Sequence, residues 1–348
     1  MSVPEPTRAV PPRPTLQLLG LGHFHPETAI DNRFLEALEI GTSDAWIVER
    51  TGIRARRTVL PLDYIRTTRN RDPRAAVEAA RYDNATLGAR AAQLALRRAG
   101  VSIEQIGLLV CGTSAADTAT PAEACNVARA LGLEAPALDV SSACTSFLAQ
   151  LHMLAAIRPE ALPDLVLLVV PESMTRTVDY GAREAAVLWG DGAAAAVVSP
   201  RVPGRARIVA TVLDSSPRGA GFVVVPRLGH FRQQGRAVQA FAIRRSAQVY
   251  ARLRAVAEAG DRHAERTLHF VGHQANLRML EAVCRTCAIA PERHHSNVEW
   301  YGNTGAASGA SVLSMAWEKW RPGDDVVLAA VGAGLTWGGA LVRFERGA

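Results

Sequence analysis

Lysine is nearly absent from this chain: 39 of its 348 residues are Lys or Arg, and Lys319 is the single lysine. Arginine in its place has the look of a GC-rich coding background. The formal charge is +6, but the arginines are scattered and no basic run is interleaved with aromatic residues, so a nucleic-acid surface is not indicated. Cysteine is sparse as well. Five cysteines, an odd number, with no secretory signal in view, argue against a disulfide framework and for reduced thiols. No apolar run reaches the roughly 18 residues that span a bilayer, so no membrane segment is expected. Residues 1–14 are proline-rich and lack the apolar centre of a signal peptide, and are expected to form a flexible tail on a cytoplasmic protein. What remains, 48% hydrophobic and 21% charged, is the composition of a globular chain able to bury a large core.

The apolar pattern alternates in period along the chain. Helical spacing over 85–99 and 120–130 is interleaved with strand-like runs at 106–111, 165–170 and 193–198, the signature of an α/β fold. After a break at 200–204 the series resumes with a strand at 206–212, a helix over 242–259, a strand at 268–271, a helix after His273 and a strand at 326–331. Two comparable halves, 15–200 and 201–348, are expected. Cys284 and Cys287 form a Cys-x-x-Cys pair with His294 and His295 beyond it, but both continue the helical spacing of Leu277, Leu280 and Val283. Core packing accounts for them better than zinc, and no metal is expected.

Cys144 stands out. In Asp139-Val140-Ser141-Ser142-Ala143-Cys144-Thr145-Ser146-Phe147 a short apolar strand passes through small residues into an apolar-periodic helix, which places a thiol at a helix N-terminus. The dipole and free amides there favour an anion, so the expectation is a thiolate that forms easily and a nucleophilic cysteine. An isolated cysteine in an apolar stretch is more often a small core residue. Here, however, His273 follows the apolar run Phe270-Val271-Gly272, and Asn303 sits in the glycine-flanked turn Gly302-Asn303-Thr304-Gly305. Three polar groups at strand-to-helix junctions can converge on one pocket.

These segments, together with Thr42-Ser43-Asp44-Ala45-Trp46, Trp189-Gly190-Asp191-Gly192 and Gly332-Ala333-Gly334-Leu335-Thr336-Trp337, closely resemble the 3-oxoacyl-acyl-carrier-protein synthase III family of the thiolase superfamily. The resemblance spans nearly the whole chain. It implies a duplicated five-layer αβαβα fold with the site where the halves meet. It implies that Cys144 accepts an acyl group from a coenzyme A or carrier-protein thioester, and that His273 and Asn303 donate hydrogen bonds to a malonyl thioester as it loses carbon dioxide. The amides of Cys144 and Ala333 match the oxyanion hole, Trp46 and Arg183 the pair that sandwiches adenine, with Arg50 near the phosphates, and Arg278 a carrier-docking position. Thr120 matches the residue that reaches from one subunit of a homodimer into its partner's acyl pocket, where threonine in place of a bulky aromatic suggests a longer or bulkier primer. Acyl thioesters and an acyl carrier protein are the implied partners, no resident cofactor is implied, and a mildly basic surface suits such acidic ligands.

Several features depart from the family pattern. Between Arg54 and Leu87 the chain is roughly twenty residues longer than compact members, and this arginine-rich stretch, 57–82, reads as a surface elaboration or a carrier-facing loop. Ala333 replaces a glycine, and Ser146 replaces a glycine close after the nucleophile, where a side chain could crowd the acyl pocket. The leading expectation is a decarboxylating Claisen condensation in fatty-acid or polyketide biosynthesis. The alternatives are condensation with a 3-oxoacyl partner followed by cyclisation, as in resorcinol- or cyclohexanedione-forming relatives, and acyl transfer to oxygen or nitrogen without decarboxylation. An inactive scaffold subunit is disfavoured by the presence of all three polar residues, and a degradative thiolase by the lack of a second cysteine over 332–339.

Overall fold

The computed structural model of the chain describes residues 16–227, 229–259 and 266–345; the tail expected over 1–14 lies outside them. The first half runs β1 (Leu16–Phe24), β2 (Ala29–Asp31), α1 (Asn32–Glu36), α2 (Asp44–Thr51), β3 (Ala55–Arg57), α3 (Leu62–Thr68), α4 (Pro73–Ala79) and α5 (Asn84–Ala99). It continues through β4 (Leu108–Cys111), α6 (Glu123–Leu131), β5 (Ala137–Asp139), α7 (Ser146–Leu154), β6 (Val166–Glu172), α8 (Arg183–Ala186) and β7 (Gly192–Ser199). The second half runs β8 (Ala206–Ser215), β9 (Val223–Val224), β10 (Arg232–Gln233), α9 (Gly235–Ala259) and β11 (Thr267–Gly272). It ends with α10 (Leu277–Cys287), α11 (Val298–Tyr301), α12 (Ala307–Met315), β12 (Asp324–Gly332) and β13 (Thr336–Phe344).

Strands β6 and β7 are buried along their whole length, as continuous apolar runs covered on both faces must be. Among the described residues nine strands hydrogen-bond in the order β11-β12-β13-β8-β1-β7-β6-β4-β5. Strand pairing passes from one half to the other at one short seam, where Leu16, Gln17 and Leu18 of β1 pair with Ile208, Arg207 and Ala206 of β8. Helices α5 and α6 cover the first half's strands with Leu87, Ala91, Ala95 and Val127. Helices α9 and α10 cover the second half's with Val249, Leu253, Leu280 and Val283. Between these outer layers lie α7, packed on β6, β8 and β13, and α12, packed on β1, β7, β11 and β12. Both are apolar or small-residue helices with little exposed surface, which suits a middle layer and completes the thiolase-like helix–sheet–helix–sheet–helix stack.

Three sequence expectations shift. The helix expected over 120–130 starts at Glu123, because Pro121 bars the turn before it and the Asp139 carboxylate accepts the first amides, those of Glu123 and Ala124. The helix expected from 242 starts at Gly235. The insertion read as a surface elaboration or loop is a pair of short helices, α3 and α4, with Ile65 and Ala76 buried.

The first half depends on close approach of β1 to α5: a Cβ added at Gly22 would stand 1.9 Å from the Ala91 carbonyl oxygen and 2.6 Å from the Ala95 nitrogen. Gly22→Ala is expected to destabilise the fold by about 1–3 kcal/mol through overpacking. Denaturant titration checks this, and a loss under about 0.5 kcal/mol would show that the helix shifts freely.

Candidate active site

Cys144 sits in the turn between β5 and α7, just after Ala143, whose φ of 46° lies in the left-handed region. Side-chain hydrogen bonds close this turn: Ser146 Oγ accepts from the Ser142 amide at 2.9 Å and donates to the Ala143 carbonyl at 2.7 Å, while Thr145 Oγ1 donates to Ser142 O at 2.6 Å. Ser146, whose side chain could crowd the acyl pocket on the sequence reading, is fully buried and closes the loop that carries Cys144. The expectation of an easily formed thiolate meets an opposing effect. Burial pushes the Cys144 thiol up to about 12, with the Glu172 charge adding to it, an effect that opposes the helix terminus.

His273 follows β11, and its Nδ1 lies 2.8 Å from Ser308 Oγ at the start of α12. Ser308 Oγ also accepts from the Gln274 amide at 3.3 Å. The Gln274 side chain accepts from the amides of Asn297 and Val298, at 2.9 and 3.2 Å, anchoring α11 beneath the histidine. Burial lowers the His273 pKa to about 4, so the ring is neutral at pH 7. Asn303 is held by its backbone, donating to Leu188 O at 2.8 Å and accepting from the Gly190 amide at 3.0 Å. Its Oδ1 accepts from the Gly305 amide at 3.0 Å, which leaves the amide NH₂ as the group to offer a ligand.

These side chains share a cavity of about 190 Å³ lined by Cys144, His273, Asn303, Gly332 and Ala333. The β12–β13 turn presses on the Cys144 backbone: a Cβ on Gly332 would lie 3.1 Å from the Cys144 nitrogen. Among the described residues no acceptor takes the amide hydrogen of Cys144 or Ala333, so both N–H groups stand ready for a ligand oxygen. A larger open groove of about 900 Å³ between α9 and α10 contains none of these groups, and the chemistry converges on the smaller space.

The remaining wall comes from residues the sequence did not single out: Leu188, Val223, Phe231, Val238, Ala242 and Met279. Most belong to the β9–β10 hairpin and the early turns of α9. Two-residue strands carry no readable periodicity, so nothing local announced them. Ser308 and Glu172 were missed likewise. Glu172 is fully buried at the end of β6, and its carboxyl accepts from the Ser114 amide at 3.1 Å, Ser114 Oγ at 2.8 Å, Thr113 Oγ1 at 3.2 Å and the Ala306 amide at 2.9 Å. Burial pushes it up to about 7 despite these donors.

The outer site residues lie apart from the cavity. The Trp46 ring has the Arg50 and Arg183 guanidinium carbons each 4.9 Å from its centroid, and Arg183 Nη1 donates to Gly41 O at 2.7 Å. A base stacked between Trp46 and Arg183 needs about 7 Å, twice a contact distance, so this pair is closed and has to part to admit one. Arg278 donates to Val48 O at 3.0 Å and Glu49 O at 3.1 Å and pairs with Glu281, bracing α2 against α10. Thr120 is exposed in the loop before α6 and lines no part of its own chain's cavity. Trp189 is the exception: buried and edge-on to Phe231 at 4.8 Å, it lines the cavity itself. Cys284 and Cys287 pack with the α9–α10 core.

A half-buried thiol with a raised pKa gives a measurable profile. Alkylation of Cys144 by iodoacetamide is expected to be slow at pH 7 and to rise about tenfold per pH unit to at least about pH 10, because only the thiolate reacts. Peptide mass spectrometry follows it, and a plateau near pH 7 would show that the helix terminus, not burial, controls the thiol.

Comparison with known proteins agrees with this geometry. Residues 138–217 match the family described as 3-oxoacyl-[acyl-carrier-protein] synthase III, and residues 261–344 match its C-terminal family. The β-ketoacyl-[acyl-carrier-protein] synthase III of Syntrophomonas wolfei is 33% identical over 95% of this chain and 98% of its own. The crystal structure of 3-oxoacyl-[acyl-carrier-protein] synthase III from Aquifex aeolicus superposes with a TM-score of 0.82 at 29% identity, covering 94% of this chain and all of that one. The priming β-ketosynthase of a polyketide biosynthetic pathway does so at 0.78 and 28% identity, covering 98% of this chain and 99% of that one. The chain thus belongs to the 3-oxoacyl-[acyl-carrier-protein] synthase III family of the thiolase superfamily, acyltransferases that carry out Claisen condensations in fatty-acid or polyketide biosynthesis.

Proposed function

We propose that this chain loads an acyl primer onto Cys144 and condenses it with a malonyl or related thioester on an acyl carrier protein, losing carbon dioxide. The observation that carries this reading is the shared cavity in which His273 and Asn303 each have one polar atom tied and one left for a ligand. Loading is a thioester exchange. The Cys144 sulfur attacks the primer's carbonyl carbon, the oxygen develops charge against the Cys144 and Ala333 amides, and the donor thiolate leaves and takes the proton that the thiol gives up. A resting thiolate is not needed for this step, since the proton moves as the bond forms.

The extender then occupies the same space. Ser308 Oγ–H, already accepting from Gln274, has its own hydrogen to give to His273 Nδ1, which fixes the neutral ring with Nε2–H towards the cavity. That N–H and the Asn303 amide donate to the extender's thioester oxygen. When the carboxylate departs as carbon dioxide, its electron pair becomes an enolate stabilised by both donors. The enolate carbon attacks the acyl-Cys144 carbonyl, the new carbon–carbon bond forms, and the Cys144 sulfur is expelled to be reprotonated. Each donor is worth about 3–4 kcal/mol to such a step.

The donor thioester belongs to coenzyme A or a carrier protein, with Trp46, Arg50 and Arg183 as the nucleotide contacts and Arg278 on the docking face. No resident metal or cofactor takes part in this reading. The protein works as a cytoplasmic homodimer: β5 is the edge strand, with Leu138 44% exposed on it, and the Thr120 loop is tied to the same edge through Asp139, so Thr120 reaches the partner's acyl pocket and leaves room there for a larger primer.

His273→Ala and Asn303→Ala are expected to lower condensation by about 10²–10³-fold while self-acylation persists. Single-turnover acylation by mass spectrometry and carbon dioxide release from the malonyl thioester separate the two. Equal loss of both steps in folded variants would overturn this division of roles.

A further inference from the structure

We propose that the inserted segment is a strut for the ceiling of the acyl cavity, with Asn70 and His230 as its two bearing residues, and that it limits the length of acyl chain the cavity admits. The inference rests on the function proposed above, since it assigns a specificity role within that same site.

Asn70 lies between α3 and α4 and is fully buried. Arg69 and Asn70 both have left-handed backbone, with φ of 55° and 53°, a costly pair for residues other than glycine. Hydrogen bonds hold it there. Asn70 Nδ2 donates to Arg176 O at 2.9 Å and Val178 O at 2.8 Å, Oδ1 accepts from the Tyr64 hydroxyl at 3.1 Å, and the Tyr180 amide donates to Arg69 O at 2.9 Å. The insertion is thereby locked onto the 176–180 segment of the main fold, and Arg69 is spent on the carbonyls of Leu38 and Arg66 rather than turned outward to meet a carrier protein.

The carbonyl of Asn70 faces the other way, towards the hairpin. His230 Nε2 donates to it at 2.7 Å, and the next amide, that of Phe231, donates to Thr177 O at 2.9 Å, within the segment Asn70 holds. Phe231 is 6% exposed, packs edge-on to Trp189 at 4.8 Å and lines the cavity above Cys144. Two adjacent hydrogen bonds therefore seat the ring that caps the site. That ring bounds the cavity of about 190 Å³ on the side facing the hairpin.

The test uses the full chain as wild type, His230→Leu, His230→Gln and Asn70→Ala. Each is incubated with acetyl-, hexanoyl- and decanoyl-coenzyme A, and intact mass gives the acylation rate and the lifetime of the acyl-enzyme without extender. His230→Leu and Asn70→Ala should raise the decanoyl-to-acetyl rate ratio about tenfold and shorten the acyl-enzyme lifetime, as a loosened ceiling admits both longer chains and water. His230→Gln keeps an N–H donor and should restore the wild-type pattern. If His230→Leu melts with the wild type and keeps its ratio and lifetime, or if glutamine fails to restore them, the strut is refuted. The His230 pair decides alone if Asn70→Ala does not fold. A wild type that no thioester acylates would bring down the proposed function first, and the strut with it.

Discussion

Glu172 takes hydrogen bonds from Thr113 and Ser114 on one side and from Ala306 on the other, and so joins a loop of the first half to the turn that carries Asn303. Four donors on one fully buried carboxyl fix the spacing between the halves more tightly than apolar packing can, because each lost partner would leave a buried polar group unpaired. The site depends on that spacing. Cys144 comes from one half, His273 and Asn303 from the other, and a condensation between two bound thioesters tolerates little error in where its donors stand.

The same burial sets the chemistry. Excluding water strengthens every hydrogen bond offered to a developing oxyanion or enolate, but it also disfavours resting charge. Burial shifts Cys144 towards the thiol and His273 towards the neutral ring for that reason. Charge is made only when substrate arrives to be stabilised, and a resting thiol is less exposed to oxidation and stray alkylation than a thiolate would be.

Much of the site was legible in sequence because its reactive groups sit where periodicity breaks: Cys144 between a strand and a helix, His273 at the end of an apolar strand, Asn303 between glycines. The α/β alternation was legible for a related reason, since the buried strands β6, β7 and β12 are continuous apolar runs; the layered arrangement came from the family resemblance. What escaped was tertiary. The upward shift of the Cys144 thiol follows from its tertiary surroundings, which no local pattern records. Ser308 and Glu172 look like ordinary polar residues until the fold places them 35 and 134 positions from the groups they bond. The insertion read as charged surface because its arginines are conspicuous, whereas the residue that anchors it, Asn70, is a single amide.

The central claim is that the enclosed thiol of Cys144 is the acyl carrier of the reaction. The most direct measurement is intact mass followed by peptide mapping of the wild-type chain after incubation with a panel of acyl-coenzyme A thioesters and no extender. The account predicts one acyl group per chain, on the peptide containing Cys144, discharged when a malonyl carrier thioester is added. An unmodified chain across the panel, or an acyl group on another residue, would contradict it.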